Sequence, residues 1–468
     1  MTRARTALNL SLILAVGLLA ATPGAATDGT PDPSFGAGGG AALDWNHGGS
    51  SDWVTDVTTD ESGNLYYAGH FESTTGDADW GVAKLNSAGG LSLSTYFRFN
   101  LGAPNSDEAV ATRLDGAGGL LIAGSAGSAS SAEIRLCRLT TSNLLLDLTF
   151  AGGTGCAAYN YAPLPLYPVA LARAGDGGWM VAGSLAWGGG DSDFFVVKFT
   201  SAGLLDTSFN ALDLFHPGMT VVPVDLVVGG LDSARSMAID HQGRILVAGD
   251  VEGWSASNVA AVVRLTASGQ IDASFGTSGF QTFTYFEGPV NYPTWAMSVA
   301  VDPVLDSFLV GYSHFTSTVN EVAAGIDHFD AAGNWQNYPG GSSPSRDVTW
   351  LPGSANWLAR VLVESDGRIL AIGDSAAGST YRATRLLASG AIDPTYGVAG
   401  VAAFSPFVHG FGSGHGVASA TLWSGRLVMV GTVTNGSEDW LAVRLTNGLI
   451  FLDGFESGTT GLWSAAVP

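Results

Sequence analysis

Hydrophobic positions in this chain fall in short, almost unbroken runs separated by polar or glycine-bearing turns, and Asp232 to Gly276 shows the unit most clearly. Ser236-Met237-Ala238-Ile239, Arg244-Ile245-Leu246-Val247-Ala248 and Val259-Ala260-Ala261-Val262-Val263-Arg264-Leu265 read as three strands. Between the first two lies Asp240-His241-Gln242-Gly243, with Asp at the start and Gly near the end of a short polar run, which is turn chemistry. Gly249 reads as the stop of the second strand, and Ser268-Gly269 turns the chain after the third into Ile271-Asp272-Ala273-Ser274-Phe275-Gly276. A half-exposed strand alternates apolar with polar residues. Continuous runs instead predict sheets covered on both faces, although runs this short are also compatible with buried helix.

Copies of this stretch recur along nearly the whole sequence. The glycine after the second strand returns in Ala68-Gly69, Ala123-Gly124, Ala182-Gly183, Ala248-Gly249, Val310-Gly311, Ile372-Gly373 and Val430-Gly431, a mean period of about 60 residues. Several strands per unit, turns between them and no helical pattern predict an all-β, seven-bladed β-propeller, each blade burying its faces only against its neighbours. The chain starts in mid-repeat at Asp32-Pro33-Ser34-Phe35-Gly36, and the last unit has no full box and fourth strand after 439–445. The strand near Gly40 to Asp44 is therefore expected to complete the last blade, closing the ring and removing an exposed sheet edge.

The sequences Asp-Gly-Arg-Ile-Leu-Ala-Ile-Gly (366–373) and His-Gln-Gly-Arg-Ile-Leu-Val-Ala-Gly (241–249), each followed by a strand ending Arg-Leu and a box of the type Ser-Gly-x-Ile-Asp-x-(Ser/Thr)-(Phe/Tyr)-Gly, resemble the delta-60 repeat proteins. These are bacterial propeller-type repeats of unknown function. The likeness covers roughly 32–455 and is close at 240–276 and 366–397; it is loose in blades two and five, where blade five carries Asp302-Pro303-Val304-Leu305-Asp306 at its turn and lacks the Ser-Phe-Gly box. The resemblance implies the fold and supplies no activity or catalytic residue. The C-terminal segment, Gly454-Phe455-Glu456-Ser457-Gly458 to Trp463-Ser464, is similar to a short terminus of exported proteins of some proteobacteria.

Composition adds a compartment. Arg3 and Arg5, the apolar run from Leu8 to Leu19 and Pro23-Gly24-Ala25-Ala26 read as a secretory signal peptide over 1–26, leaving a propeller at 27–446 and a tail at 447–468. No other run is long and apolar enough to span a bilayer. The chain is expected to be a bacterial secreted, periplasmic or cell-surface monomer. Net charge is −22, with only two lysines, Lys84 and Lys198, among 19 basic residues, so the concentrated basic surface that nucleic-acid binding needs is not visible. Cys137 and Cys156 fall on strands that the repeat frame places side by side, and in an oxidising compartment they are expected to form a disulfide.

Candidate chemistry is sparse. Gly-x-Ser-x-Gly, His-Glu-x-x-His, the P-loop and the dinucleotide fingerprint are all missing, so no catalytic residue is assigned. His409 and His415 share one glycine-rich loop but offer a metal no third ligand there. Paired acids before third strands, Asp77/Asp79, Asp191/Asp193 and Glu438/Asp439, raise calcium, yet supply few of the six to eight oxygens it takes, so no metal or other cofactor is expected. Lys198, Arg264 and Arg385, near the ends of third strands, are each followed eight residues later by Asp206, Asp272 and Asp393. Recurrence from blade to blade points to structural ion pairs.

Connections should then alternate between two faces. One carries the tight turns and boxes. The other carries the variable connections leading into each blade, to which the reading assigns Trp45 and His47, Tyr161, Phe215 and His216, Tyr285 and Tyr292, and Phe407 and His409. Function commonly resides in loops on a rigid scaffold, and these residues are the candidate ligand-binding set. The expected function is non-catalytic binding of an unidentified protein, glycan or cell-surface partner. Two alternatives stay open, an extracellular polymer hydrolase or lyase with a site assembled across blades and a passive surface structural protein.

Overall fold

The computed structural model describes residues 28–44, 52–72, 78–97, 107–128, 130–253, 257–287, 290–303, 306–316, 322–341, 343–348, 350, 354–375, 379–434 and 438–446. The leader and the tail lie outside them. Blade four consists of Asp232–Ile239, Ile245–Gly253, Ser257–Leu265 and Phe280–Phe283, joined in that order as an antiparallel sheet. The same four-strand order recurs at 52–97, 108–159, 166–222, 294–348 and 356–404, with the seventh sheet at 413–444. Second strands are buried along most of their length, whereas first strands alternate because one of their faces looks onto the ring axis. That difference accounts for the near-continuous apolar runs.

The seventh sheet is completed by Gly40–Leu43, whose Gly40 pairs with Val443 and Leu43 with Trp440. The protein is thus a seven-bladed β-propeller closed by strands from both ends of the chain. No helix among the described residues is long and apolar enough to cross a membrane.

The repeating glycine has a different role from the one its sequence position suggests. Gly249 lies inside the second strand, which continues to Gly253, and does not end it. Its cause is in the first strand, which bulges at the same place in every blade, at Thr55, Val110, Val169, Arg235, Met297, Ala359 and Ala418. The bulge presses a carbonyl onto the glycine opposite, so a Cβ on Gly249 would sit 2.1 Å from the Ser233 oxygen, and one on Gly373 2.0 Å from the Trp357 oxygen. Blade five departs. Tyr312, not Gly311, stands opposite Ala296 at this position, and its ring takes the space that a side chain on Gly325 would need.

The boxes lock neighbouring blades together. Arg264 Nε lies 2.9 Å from Asp272, Arg385 Nε 2.9 Å from Asp393 and Lys198 Nζ 3.0 Å from Asp206. The N-terminal box supplies the same module to blade seven, with Arg444 Nε 2.8 Å from Asp32. Each arginine also covers an aromatic ring of its box, Phe275, Tyr396 or Phe35, at 4.6, 4.6 and 4.7 Å. The box ring in turn slides under the turn glycine of the next blade: a Cβ on Gly269 would lie 2.8 Å from the Phe209 ring. Blade five does this without its Ser-Phe-Gly sequence, using Tyr338 against Gly390. Cys137 and Cys156 face each other across the third and fourth strands of blade two, joined by a disulfide with Cα atoms 4.0 Å apart.

Candidate functional site

All seven first strands border a central channel holding a cavity of 370 Å³. In blades one, four and five the residue after the bulge ties its blade to the next: Ser236 Oγ accepts the Val299 N–H at 3.1 Å, Ser298 Oγ that of Val361 at 3.0 Å, and Asp56 Oδ2 that of Thr112 at 2.9 Å, while Ala111 and Ala170 hold the position in blades two and three. Ser419 closes the belt by donating to Asp56 Oδ1 at 2.6 Å. Arg113 donates to Asp56 at 2.6 Å, and Arg235 pairs with Asp250. Burial pushes the Asp56 carboxyl up, but Arg113, Arg360 and the hydrogen bonds from Ser419 and Thr112 outweigh it and hold the group ionised below its ordinary range. Among the described residues no histidine lines the channel.

A second hollow, of 610 Å³, opens at the rim between blades four and five. Its walls are Phe283 and Tyr285 from the end of blade four and the connection after it, Tyr312, Asp327 and Asp347 from the sheet of blade five, and Trp335 from the turn before that blade's last strand. Asp327 is the anomaly. Its register position is held in the other six blades by Ala83, Cys137, Val197, Val263, Thr384 and Val443. Only 4% exposed, it accepts the Trp335 indole N–H at 3.0 Å, while its buried Oδ1 closes no hydrogen bond of regular geometry among the described residues. Burial pushes its carboxyl up, more than donors on Trp335, Ser345 and Tyr312 lower it, and the Asp347 charge adds to the rise. Phe283 meets Tyr312 edge-on at 5.5 Å, giving the hollow rigid aromatic walls. The signal in the sequence was blade five's poor fit to the repeat.

The residues expected to bind a ligand do not converge. Trp45 and His47 lie outside the described residues. Phe215 and His216 precede the fourth strand of blade three, Met219–Val222, so they belong to the box connection and not to a connection between blades; the nine residues after that strand make the latter. The misplacement came from counting a long box as the end of its blade. His216 nevertheless reaches Tyr161, ring centroids 4.3 Å apart, with Trp187 edge-on to Tyr161 at 6.1 Å. Tyr285 and Tyr292 face each other across a small hairpin, and Tyr285 stacks on His314 at 3.7 Å. His409 stacks on Phe404 at 4.3 Å beside an exposed Phe407. These are three separate clusters, and only Tyr285 lines the hollow.

The acids considered for calcium gather at seams between blades. Asp439 ends up with Asp52 and Asp44, their carboxylate oxygens within 4.8 Å of one another. At the seam between blades three and four, burial, reinforced by the charges of Asp193 and Asp225, pushes Asp232 up to about 7. Three carboxylates supply at most six of the six to eight oxygens calcium takes, the remainder of a shell coming from carbonyls or water.

Three segments, 174–209, 243–275 and 364–396, match the family described as "Domain of unknown function (DUF5122) beta-propeller". They fall in blades three, four and six. No curated protein matches the sequence. Solved structures of similar shape include a protein of unknown function from Dyadobacter fermentans, 12% identical, covering 89% of this chain and 100% of that one, at a TM-score of 0.44. Others are the β-propeller domain of the trilobed protease of Pyrococcus furiosus (10% identity, 84% and 94% coverage, TM-score 0.41) and a polysaccharide lyase, ulvan lyase (10%, 91% and 95%, 0.46). Likeness at this level reaches the fold and goes no further. The chain is a repeat protein of the β-propeller type.

Proposed function

We propose that this protein is an exported binding propeller that takes a sugar unit of a glycan in the hollow between blades four and five. The observation that carries this reading is the buried Asp327 set among Phe283, Tyr312 and Trp335 where every other blade has an uncharged residue. Aromatic faces offer flat apolar contact to a sugar ring, and a carboxyl offers its hydroxyls a directional partner. The box-bearing face is occupied by interlocking turns, which favours the rim and the connections. The test is a glycan array with the mature protein and its Trp335→Ala and Asp327→Asn variants. Binding should fall at least tenfold in both and persist in a Phe215→Ala, Phe407→Ala double variant. The opposite pattern would move the site to the loops.

One observation favours an enzyme as the second reading. A buried carboxyl kept protonated to higher pH and the exposed Asp347 border the same hollow, and acid and base carboxyl groups in unequal surroundings are what glycoside hydrolysis uses. Release of reducing ends from a bound glycan, abolished by Asp327→Asn, would establish it.

A further inference from the structure

The central channel is a second site, and we infer that it binds an oxyanion, a carboxylate or sulfate group, through Arg360 with Arg113. Arg360 occupies the register position at which Ser236, Ser298, Ser419 and Asp56 link their blades to a neighbour and blades two and three carry Ala111 and Ala170. Arginine in that position lines the cavity, and it makes no hydrogen bond or ion pair among the described residues. The charges acting on it are Asp56, which attracts it, and Arg113, which repels it; Arg113 already spends one N–H on Asp56 and one on the Thr112 carbonyl. Arg235 is matched by Asp250; Asp374 also lines the cavity, with its Oδ2 on the Gly416 side of blade seven, and is not among the charges that act on Arg360. Two guanidinium groups thus share one carboxylate in a narrow, partly desolvated space.

An unmatched buried charge is costly, and an arriving anion removes the cost. Guanidinium presents paired N–H donors that fit the two oxygens of a carboxylate or sulfate, which neither serine nor lysine does. A cavity of 370 Å³ has room for such a group. In a chain of net charge −22 a nonspecific attraction for anions is not expected, so the channel would act locally and selectively.

Thermal unfolding of the mature protein, titrated with sodium sulfate against sodium chloride at equal ionic strength, reads this directly. Sulfate also stabilises proteins by exclusion from their surface, so the diagnostic is a saturable rise in Tm that Arg360→Gln abolishes and Arg360→Lys weakens. Glucuronate in place of sulfate separates a free ion from an acidic sugar as the source of the group. An identical rise in Arg360→Gln, or no saturable rise with either anion, overturns the proposal. Should Arg360→Gln fail to fold, wild-type crystals soaked in selenate decide: an anomalous peak within hydrogen-bond reach of Arg360 supports the site, and its absence rejects it.

Discussion

Blades four and five share a seam and a plan, yet differ at four aligned positions. Blade four has Asp232, Gly249, Val263 and Arg264; blade five has Thr294, Tyr312, Asp327 and His328. In blade four, each residue serves the repeat: the glycine admits a carbonyl, the valine packs, and the arginine grips its box. In blade five a tyrosine has entered the glycine position, an acid the valine position, and a histidine stacked on Tyr338 at 5.2 Å replaces the arginine. A change at one of these positions would be drift. Changes at adjoining positions that together open an aromatic hollow with an acid in its wall are better explained by a ligand.

The largest effect should come from breaking the regular member. Arg264 is 3% exposed, pairs with Asp272, covers Phe275 and donates to the Ala331 carbonyl of blade five. Arg264→Ala removes a buried guanidinium from the half-buried Asp272 carboxylate and from the Phe275 ring and should cost about 3–5 kcal/mol, read as a shift of the urea midpoint. His328→Ala should cost clearly less. Equal losses at the two positions would erase the distinction between the blades.

Asp232 gives the next effect, through pH. Its folded pKa of about 7 lies above the unfolded value near 3.8, so the folded protein keeps a proton that the unfolded chain releases. The associated stability is complete below about pH 4, falls as pH rises to 7 and then levels off, a loss on the order of 4 kcal/mol. Thr294 in blade five, with its hydroxyl bonded to Tyr285 N–H and the Tyr292 carbonyl at 2.9 Å each, has no such dependence. Asp232→Asn should flatten the curve between about pH 4 and 7. A curve unchanged by the substitution would mean that the group titrates normally.

The sequence carried the ring but not the hollow, for physical reasons. Gly69 to Gly431 could be aligned because the bulge imposes one steric demand on six of the seven blades, and the mid-repeat start exposed the closure because Asp32 to Gly36 is a recognisable box. The pairs of Lys198, Arg264 and Arg385 with their acids lie within one blade's local turn, where spacing fixes contact. The hollow is built from residues on two blades, with Phe283 and Trp335 more than fifty positions apart, and no spacing announces that. Asp327 is polar inside a Gly-Ile-Asp-His-Phe run and passes for strand decoration until the register shows six uncharged counterparts. Arg360 was equally hidden, being one of several basic residues until the belt supplied a position to compare.

The smallest effect is also the sharpest, because its sign is unusual. Replacing Asp327 with valine restores the residue that stands at the same register in blades three, four and seven. It removes a buried carboxyl whose Oδ1 has no regular hydrogen bond, and apolar replacement at such a place is commonly neutral or stabilising. The bonds lost are the regular one from Trp335, which is 47% exposed so that water can take over as acceptor for the indole N–H, and the poorer ones from Ser345 and Tyr312. Asp327→Val should therefore stabilise the protein by about 1 kcal/mol while abolishing glycan binding, the mark of a residue kept for a ligand at the expense of the fold. A destabilised variant would assign Asp327 to the architecture of blade five, and a stabilised variant that still binds would leave the hollow without its acid.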